Sequence, residues 1–239
     1  MGRTALQSRG DGLAAVSVGE YRGATTALRF GDSQAELAAL RTECGAYDLG
    51  FRAGISVSGS DRVRWLNGMV TNNVRDLAVG QGVYAFLLNP QGHILGDLYA
   101  HNRGESIMVD TDSNQVEKIL GTFDHYIIMD DVEIKNLSEE ITAIGIGGPK
   151  SSEVLAKVGF RIPQLHALGS HTVQCDCDCG CLTCTLVRSD DPGGESYEIW
   201  LAPAEARSLW DSLVKAGATP VGSEALEMRS EERRVGKEC

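Results

Sequence analysis

Five cysteines within ten residues form the densest group of reactive side chains in the sequence. They are Cys175, Cys177, Cys179, Cys181 and Cys184, and they alternate with aspartates and small residues. Thiolates at this density are typical ligands of Zn²⁺ or of an iron–sulfur cluster, and they are also capable of redox chemistry. The cluster therefore predicts either a metal site or a thiol-rich strand.

The spacing of these cysteines favours the strand. In an extended segment, Cys175, Cys177 and Cys179 share one face at intervals of about 7 Å, because a strand rises about 3.3 Å per residue. Thiolates around one zinc ion must approach more closely, since each Zn–S bond is about 2.3 Å. The following glycine turn could fold the last two cysteines back. A metal or cluster site stays open, but buried thiols on a packed strand face are favoured.

The overall composition narrows the class of protein. The chain has 239 residues and a formal net charge of −11, which disfavours direct nucleic-acid binding, although a local basic patch is possible. It has no apolar run long enough for a membrane span, and its start lacks a secretory signal. Clustered cysteines argue against a disulfide framework, so a cytosolic location is expected. His93, His101 and His125 match no compact metal-ligand spacing.

Short helices and strands must position any site. Asp32 is predicted to cap a helix over 32–44, with Glu36 completing a capping box and Gly45 ending the helix. The turn 89–92 predicts a hairpin. Further helices are predicted over 62–69, 115–122, 151–158 and 203–216, and strands over 53–58, 83–88, 93–99, 106–110, 132–137, 141–146, 183–187 and 197–201. This alternation indicates an α+β fold.

Several segments carry a family resemblance. They are 61–74, 80–98 and 124–134, with weaker pieces at 195–199 and 222–227. They resemble the superfamily that contains the T-protein of the glycine cleavage system (aminomethyltransferase, GcvT) and the folate-binding YgfZ-type proteins. The pattern L-N-G-M-V-T-N … G-x-Y-A-x-L-L-N-P-Q-G is closer to the YgfZ branch. The resemblance runs, with gaps, from about residue 30 to residue 228.

The resemblance implies a tetrahydrofolate site in the hole of a three-part cloverleaf. The family's catalytic aspartate, which lies near the folate nitrogen that accepts a one-carbon unit, falls on Asp97. The family often has two consecutive aspartates, and this chain has Gly96 at the first position. The glutamate that holds the pterin falls on Glu198, where a carboxylate would accept two hydrogen bonds from the paired N–H edge.

Three further residues are candidate folate contacts. They are Tyr84, Asn67 and Thr111, the last at a position where the family has asparagine. Each candidate also permits an ordinary structural role. Asp97 could cap a turn, Glu198 could be a solvated strand carboxylate, Tyr84 could belong to the core, and Asn67 could organise a turn.

The last eleven residues, 229–239, are identical to the in-frame translation of a common sequencing adapter. The expected organisation is therefore a loosely ordered arm over 1–29, a first folate-binding part over 30–138, a second α+β part over 139–228, and a non-native tail over 229–239. The cloverleaf would then lack its C-terminal barrel subdomain. The alternative is a natural, charged helix end.

Three functions follow in order of preference. The first is a YgfZ-type, tetrahydrofolate-binding accessory factor for iron–sulfur enzyme maintenance and tRNA modification. Its partners would be folate and iron–sulfur client enzymes, without direct nucleic-acid or membrane contact. The second is an aminomethyltransferase that transfers a one-carbon unit to tetrahydrofolate, against which Gly96 counts. The third is a metal or iron–sulfur carrier built on the cysteine cluster.

Overall fold

The computed structural model of the protein describes residues 2–8, 13–177, 180–190 and 194–235, with the side chains of 176–177 and 232–235 left out. These residues form an α+β fold of two larger sheets, one small sheet and flanking helices. The strands are β1 (Gly2–Arg3), β2 (Ser17–Tyr21), β3 (Ala24–Arg29), β4 (Gly45–Asp48), β5 (Arg52–Ser58), β6 (Gly82–Leu88), β7 (Ile94–Asn102), β8 (Ile107–Asp112), β9 (Glu133–Asn136), β10 (Thr142–Gly147), β11 (Ser170–Cys177), β12 (Gly180–Arg188), β13 (Ser196–Leu201) and β14 (Thr219–Val221). The helices are α1 (Ser33–Thr42), α2 (Arg62–Met69), α3 (Val116–Tyr126), α4 (Ser151–Val158), α5 (Ala206–Lys215) and α6 (Ser223–Val235).

The first large sheet has the order β6-β7-β8-β5-β9, with every neighbouring pair antiparallel. Its apolar side, which includes Ile55, Leu98 and Val109, packs against Leu66 of α2 and Phe123 of α3. Because side chains alternate along a strand, the opposite side of this sheet carries a different set of residues. That opposite side faces the second sheet.

The second large sheet has the order β11-β12-β13-β10-β4-β14. Its outer side packs on α4 and α5 through Ile144, Ile199, Leu155 and Leu209. Its inner side contributes Trp200 to a cluster that also contains residues of the first sheet. The molecule is therefore layered as helices, sheet, sheet and helices.

Strand β4 lies before the boundary that the sequence suggested at residue 138, but it pairs with strands that lie after that boundary. It precedes the first sheet in the chain, yet it lies between β10 and β14 in the second sheet. Strands β5 to β9 all fall before residue 138, and β10 to β14 fall after it. The two sheets are thus joined by an early strand that pairs with late ones.

The described part of the N-terminal arm is ordered rather than loose. β1, β3 and β2 form a small sheet, and Leu6 and Leu13 are buried. Burial of these leucines gives the segment its own packing contribution. The expectation of a loosely ordered arm over 1–29 is therefore wrong for the described residues 2–8 and 13–29.

The capping box proposed for the first helix is also wrong. Asp32 caps α1 by accepting from the Gln34 N–H, as predicted. Glu36 instead turns inward, where its carboxylate accepts from the backbone N–H groups of Phe30, Gly31 and Gly222. A buried carboxylate with three N–H donors is well satisfied, which explains why Glu36 leaves the cap.

The predicted helix stop at Gly45 is a strand residue. Helix α1 ends at Thr42, and Gly45 begins β4. The remaining predicted helices and strands are present with ends shifted by a few residues, as is usual for boundaries. No helix within the described residues is long and apolar enough to cross a membrane.

A glycine lets the aromatic ring of Tyr47 lie flat on the second sheet. A Cβ atom at Gly145 would lie 1.9 Å from the Tyr47 ring, far inside van der Waals contact. The Tyr47 hydroxyl then lies 3.2 Å from the Ser196 hydroxyl on β13. Gly145 is therefore required by packing across β4 and β10.

Substitution of this glycine gives a first prediction. Gly145→Ala should lower the free energy of unfolding by about 3 kcal/mol, because the ring cannot shift without losing its packing. Gly121→Ala on α3 is the matched control, since a Cβ there meets nothing within 4 Å. It should stabilise the helix by up to about 1 kcal/mol. Urea denaturation measures both, and equal effects of the two substitutions would contradict the packing argument.

Candidate functional site

The candidate site lies on the inner side of the first sheet. Along β7, Leu98 and Ala100 point into the helix-facing core, so Asp97, Tyr99 and His101 point to the other side. Neighbouring strands add residues to the same side in register: Arg52 from β5, Tyr84 from β6, and Asp110 and Asp112 from β8. Polar and aromatic side chains thus replace apolar ones where the sheets meet.

Arg52 is the buried cation of this surface. Its Nε and Nη2 donate to the two carboxylate oxygens of Asp110 at 3.2 and 2.5 Å, and its Nη1 donates to Asp112 at 2.9 Å. Its guanidinium carbon lies 5.4 Å from the centre of the Tyr99 ring. Burial opposes the charge, but the two aspartates outweigh it and raise the pKa of Arg52. Arg52 is therefore a fixed positive charge.

Glu198 approaches the same cation from the second sheet. It lies on β13, packed within the protein but with part of its surface accessible, and its Oε2 accepts from the Trp200 indole N–H at 3.0 Å. Burial, followed by the charge of Asp110, raises the pKa of Glu198 to about 7, although Arg52 and Trp200 act in the opposite direction. The expectation of a solvated strand carboxylate does not describe this environment.

The carboxylate of Asp97 is held by two donors. The Tyr84 hydroxyl donates to its Oδ2 at 2.9 Å, and the Gln115 amide donates to its Oδ1 at 2.8 Å. Burial and this hydrogen bond raise the pKa of Tyr84 to about 12, so the phenol keeps its proton and remains a donor. Two donors on two oxygens fix the orientation of the carboxylate.

The backbone of Asp97 is held by side chains because the sheet opens at this point. Pairing of β7 with β8 extends only to Tyr99 opposite Asp110. Beyond it, the Asp97 N–H donates to Gln115 Oε1 at 2.9 Å, and the Asp97 carbonyl accepts from the Thr111 hydroxyl at 2.8 Å. Asp97 therefore lies within a strand and does not cap a turn.

The candidate folate contacts differ in what they can reach. Tyr84 and Thr111 both converge on Asp97, but Thr111 is fully buried and bonded to a backbone carbonyl, so it supports Asp97 rather than a ligand. Asn67 accepts from the backbone N–H groups of Val74 and Arg75 at 3.0 and 3.2 Å. Its carbonyl oxygen organises the turn after α2, which is the alternative role that the sequence left open.

The described cysteines of the cluster do not meet at one point. Cys175 and Cys184 are buried in the outer core of the second sheet, whereas Cys181 is exposed and belongs to the opposite face of β12. Burial raises the pKa of the Cys184 thiol to about 12, which disfavours the thiolate that a metal requires. Among the described residues there is no group of three metal-ligating side chains, while Cys179 and the side chain of Cys177 lie outside them.

Several residues of this surface escaped the sequence analysis. They include Gln115, which binds Asp97, and Trp200, which binds Glu198. They also include the ion pair that Arg52 forms with Asp110 and Asp112. One signal was present, because the segment M-V-D-T-D alternates in the manner of a half-polar strand. Nothing local indicated that the second sheet would bring Glu198 to the same cation.

The raised pKa of Glu198 predicts how stability depends on pH. Folded Glu198 keeps its proton up to about pH 7, whereas unfolded glutamate loses it near 4.5. The folded state therefore binds more protons in this window, and its stability falls as the pH rises. Glu198→Gln should leave stability nearly unchanged at pH 5 and raise it by about 2–3 kcal/mol at pH 8, since one pKa unit corresponds to about 1.4 kcal/mol.

Chemical denaturation at the two pH values measures this difference. Glu133→Gln on the exposed edge strand β9 is the matched control, because it removes a carboxylate outside the inter-sheet surface. The control should keep the pH dependence of the parent. Parallel profiles for the parent and Glu198→Gln would refute the burial of an ionisable carboxylate at this position.

Comparison with known proteins identifies the family of this chain. Residues 14–236 match the family described as the GCVT N-terminal domain. The aminomethyltransferase of Rubrobacter xylanophilus is 32% identical over 204 residues, which cover 85% of this chain and 54% of that protein. The aminomethyltransferase of Herpetosiphon aurantiacus is 26% identical over 226 residues, covering 93% and 61%. The chain thus spans roughly half the length of these relatives.

Solved structures agree at the level of the fold. The glycine cleavage system aminomethyltransferase T of Bartonella henselae superposes with a TM-score of 0.79 at 23% identity, covering 89% of this chain and 57% of that one. A heterotetrameric sarcosine oxidase from Corynebacterium sp. U-96 superposes with a TM-score of 0.55 at 17% identity, covering 77% and 90%. With the family match over most of its length, the chain belongs to the GCVT N-terminal domain family.

Proposed function

We propose that this chain forms the tetrahydrofolate-binding part of an aminomethyltransferase, with the pterin held at Glu198 and the one-carbon chemistry placed near Asp97. The observation that carries the proposal is the arrangement of these two carboxylates on facing sheets around the Arg52–Asp110 ion pair. Both carboxylates act on this ion pair: after burial, the charge of Asp97 is among the causes that raise the pKa of Asp110, and the charge of Glu198 is among those that raise the pKa of Arg52.

Glu198 offers the hydrogen-bond acceptors that the N–H edge of a pterin requires. Its Oε2 accepts from Trp200, while its Oε1 accepts no hydrogen bond from the described side chains and backbone. An N–H pair on a ligand would complete the carboxylate with charge-assisted hydrogen bonds. Binding would also favour the ionised form, so the proton that burial retains on Glu198 would be released when the ligand enters.

Asp97 is suited to act on a nitrogen rather than to bind a metal. Its two oxygens accept from Tyr84 and Gln115, and each has the capacity to accept a further hydrogen bond. A fixed carboxylate in a partly buried site stabilises positive charge that develops on a nearby amine nitrogen, or takes its proton. Tetrahydrofolate supplies the nitrogen that accepts the one-carbon unit.

Gly96 is a weaker objection to one-carbon transfer than the sequence suggested. Residue 96 points to the opposite side of β7 from Asp97, toward α3. A Cβ at Gly96 would lie 2.7 Å from Gln115 Oε1 and 3.4 Å from the side chain of Ile119. The glycine therefore makes room for the amide that orients Asp97, and a second carboxylate here would not reach the inter-sheet surface.

A YgfZ-type accessory role is the second candidate. It is favoured by the motif in segments 61–74 and 80–98, and it would use the same folate site in support of iron–sulfur enzymes. Folate binding alone does not separate the two functions. Transfer of a one-carbon unit to tetrahydrofolate, abolished by Asp97→Asn with folate binding retained, supports the aminomethyltransferase; folate binding without transfer supports the accessory factor.

A binding experiment tests the folate site itself. Glu198→Gln should weaken tetrahydrofolate binding at pH 8 by about tenfold or more, because a charge-assisted hydrogen bond contributes about 1.5–3 kcal/mol. The affinity of the parent should increase from pH 6 to pH 8 as Glu198 ionises, and the substituted chain should lack this increase. Isothermal titration calorimetry at both pH values measures affinity and enthalpy.

Glu133→Gln again provides the control, and it should bind tetrahydrofolate like the parent across the same pH range. If Glu198→Gln bound with unchanged affinity, Glu198 would not be the pterin contact. If neither the parent nor the control bound at all, the proposed site would be wrong as a whole.

Gly96 gives a second test of the same site. Gly96→Ala should displace Gln115 and weaken the fixation of Asp97, lowering the free energy of unfolding by about 1–3 kcal/mol. One-carbon transfer should fall further than tetrahydrofolate affinity, because Asp97 is displaced while Glu198 is untouched. Gly121→Ala on the same helix as Gln115 serves as the control. Parent-like stability and transfer in Gly96→Ala would contradict the role given to Gln115.

A further inference from the structure

A second concave site lies where the far ends of the two sheets meet. It is formed by the loop before β6, the end of β7 and the hairpin of β11 and β12, and it has a volume of ≈ 280 Å³. A backbone hydrogen bond joins its two sides, since the Ser170 N–H donates to the Gly80 carbonyl at 2.7 Å. This volume is at the lower end of the range for small-molecule sites.

Arg103 is a half-buried cation in the wall of this pocket. Its Nη2 donates to the Thr185 hydroxyl at 3.0 Å, and no carboxylate of the described chain forms an ion pair with it, including the nearby exposed Glu105. Burial lowers the pKa of Arg103, with no neighbouring acid to oppose it. None of the side-chain nitrogens of Arg103 is a buried atom without a partner, so the N–H groups that Thr185 does not use are open to solvent and available to an anion.

The remaining wall of the pocket offers hydrogen-bond donors and no acid. Ser170, His171 and Thr172 line it together with Arg103 and Thr185, and none of its described lining residues is aspartate or glutamate. In a chain with 33 acidic residues and a net charge of −11, an acid-free pocket around a cation stands out against the rest of the surface. Ser170, Thr172 and Thr185 share one face of this hairpin, whereas His171 belongs to the other face. Hydroxyl groups beside a guanidinium are typical phosphate ligands.

This pocket is separate from the candidate folate site. Arg103 comes directly after β7 and six residues after Asp97, a separation of about 20 Å at 3.3 Å per residue. Between them lies His101, which is buried against the rings of Tyr99 and Trp200 at centroid distances of 6.4 and 5.0 Å. Neither Asp97 nor Glu198 lines the pocket, so the two sites use different residues.

We propose that the pocket around Arg103 binds a phosphate group, either free or as the monoester of a small molecule, by pairing it with the guanidinium and the surrounding hydroxyls. The bidentate face of the guanidinium would take two phosphate oxygens, and the Thr172 hydroxyl, on the same face of the hairpin as Thr185, would donate to a third. This inference is independent of the proposed function, because it involves neither Asp97 nor Glu198.

Titration calorimetry with inorganic phosphate, glycerol phosphate and acetate tests the proposal on the intact chain. Both phosphate compounds should bind at one site per chain, and acetate should bind at least about tenfold more weakly. Tighter binding of glycerol phosphate identifies a monoester site, and tighter binding of inorganic phosphate identifies a free-ion site. Arg103→Gln should lower phosphate affinity at least about tenfold, because one charge-assisted contact is lost.

Two substitutions keep this test independent of folding. Arg75→Gln removes one exposed positive charge elsewhere and should bind phosphate like the parent. Thr172→Val alters an exposed pocket residue on the same face as Thr185, and it should lower phosphate affinity severalfold even if Arg103→Gln fails to fold. Absence of phosphate binding to the parent, equal losses in Arg75→Gln, or an unchanged affinity in Thr172→Val would overturn the proposal.

Discussion

The rest of the inter-sheet surface depends on the buried ion pair of Arg52 with Asp110 and Asp112. Removing a guanidinium and two carboxylates from water is expensive, and their mutual attraction offsets that penalty only because the geometry is close and partly bidentate. Arg22 adds a second contact to Asp112 at 3.1 Å from the partly exposed side. A cation is thereby fixed between two sheets that also meet through the apolar cluster around Trp200 and Met108.

The same ion pair sets the protonation of Glu198. Arg52 carries one positive charge, while Asp110, Asp112 and Glu198 together could carry three negative ones, and the charge of Asp110 is among the causes that raise the pKa of Glu198. Near pH 7 this carboxyl is therefore poised between its two forms. A ligand that presents N–H groups stabilises the ionised form, so ligand binding and proton release are coupled at this residue.

Periodicity and motifs in the sequence predicted most of the local structure, and long-range pairing accounts for most of what they missed. The helix at 151–158 and the hairpin turn at 89–92 follow from local chemistry, and segments 61–74, 80–98 and 124–134 carried the resemblance to the superfamily that the family match supports. By contrast, Glu36 binds the N–H of Gly222, which lies 186 positions away in the chain, and β4 pairs with strands that follow it by about a hundred residues or more. No local pattern contains these partners, so a capping box and a helix stop were the natural but incorrect interpretations.

The two arginines at the sheet junction show why burial alone does not define a site. Arg52 is more deeply buried than Arg103, but aspartates on the neighbouring strand neutralise its charge. Its donors are therefore used within the fold and are not available to a ligand. Arg103 is matched by a single hydroxyl, and its remaining donors face a pocket without acids. Half-burial of this cation carries a desolvation cost that no neighbouring carboxylate of the described chain offsets. Its position beside the Ser170 and Thr172 hydroxyls therefore fits an anion that pairs with it.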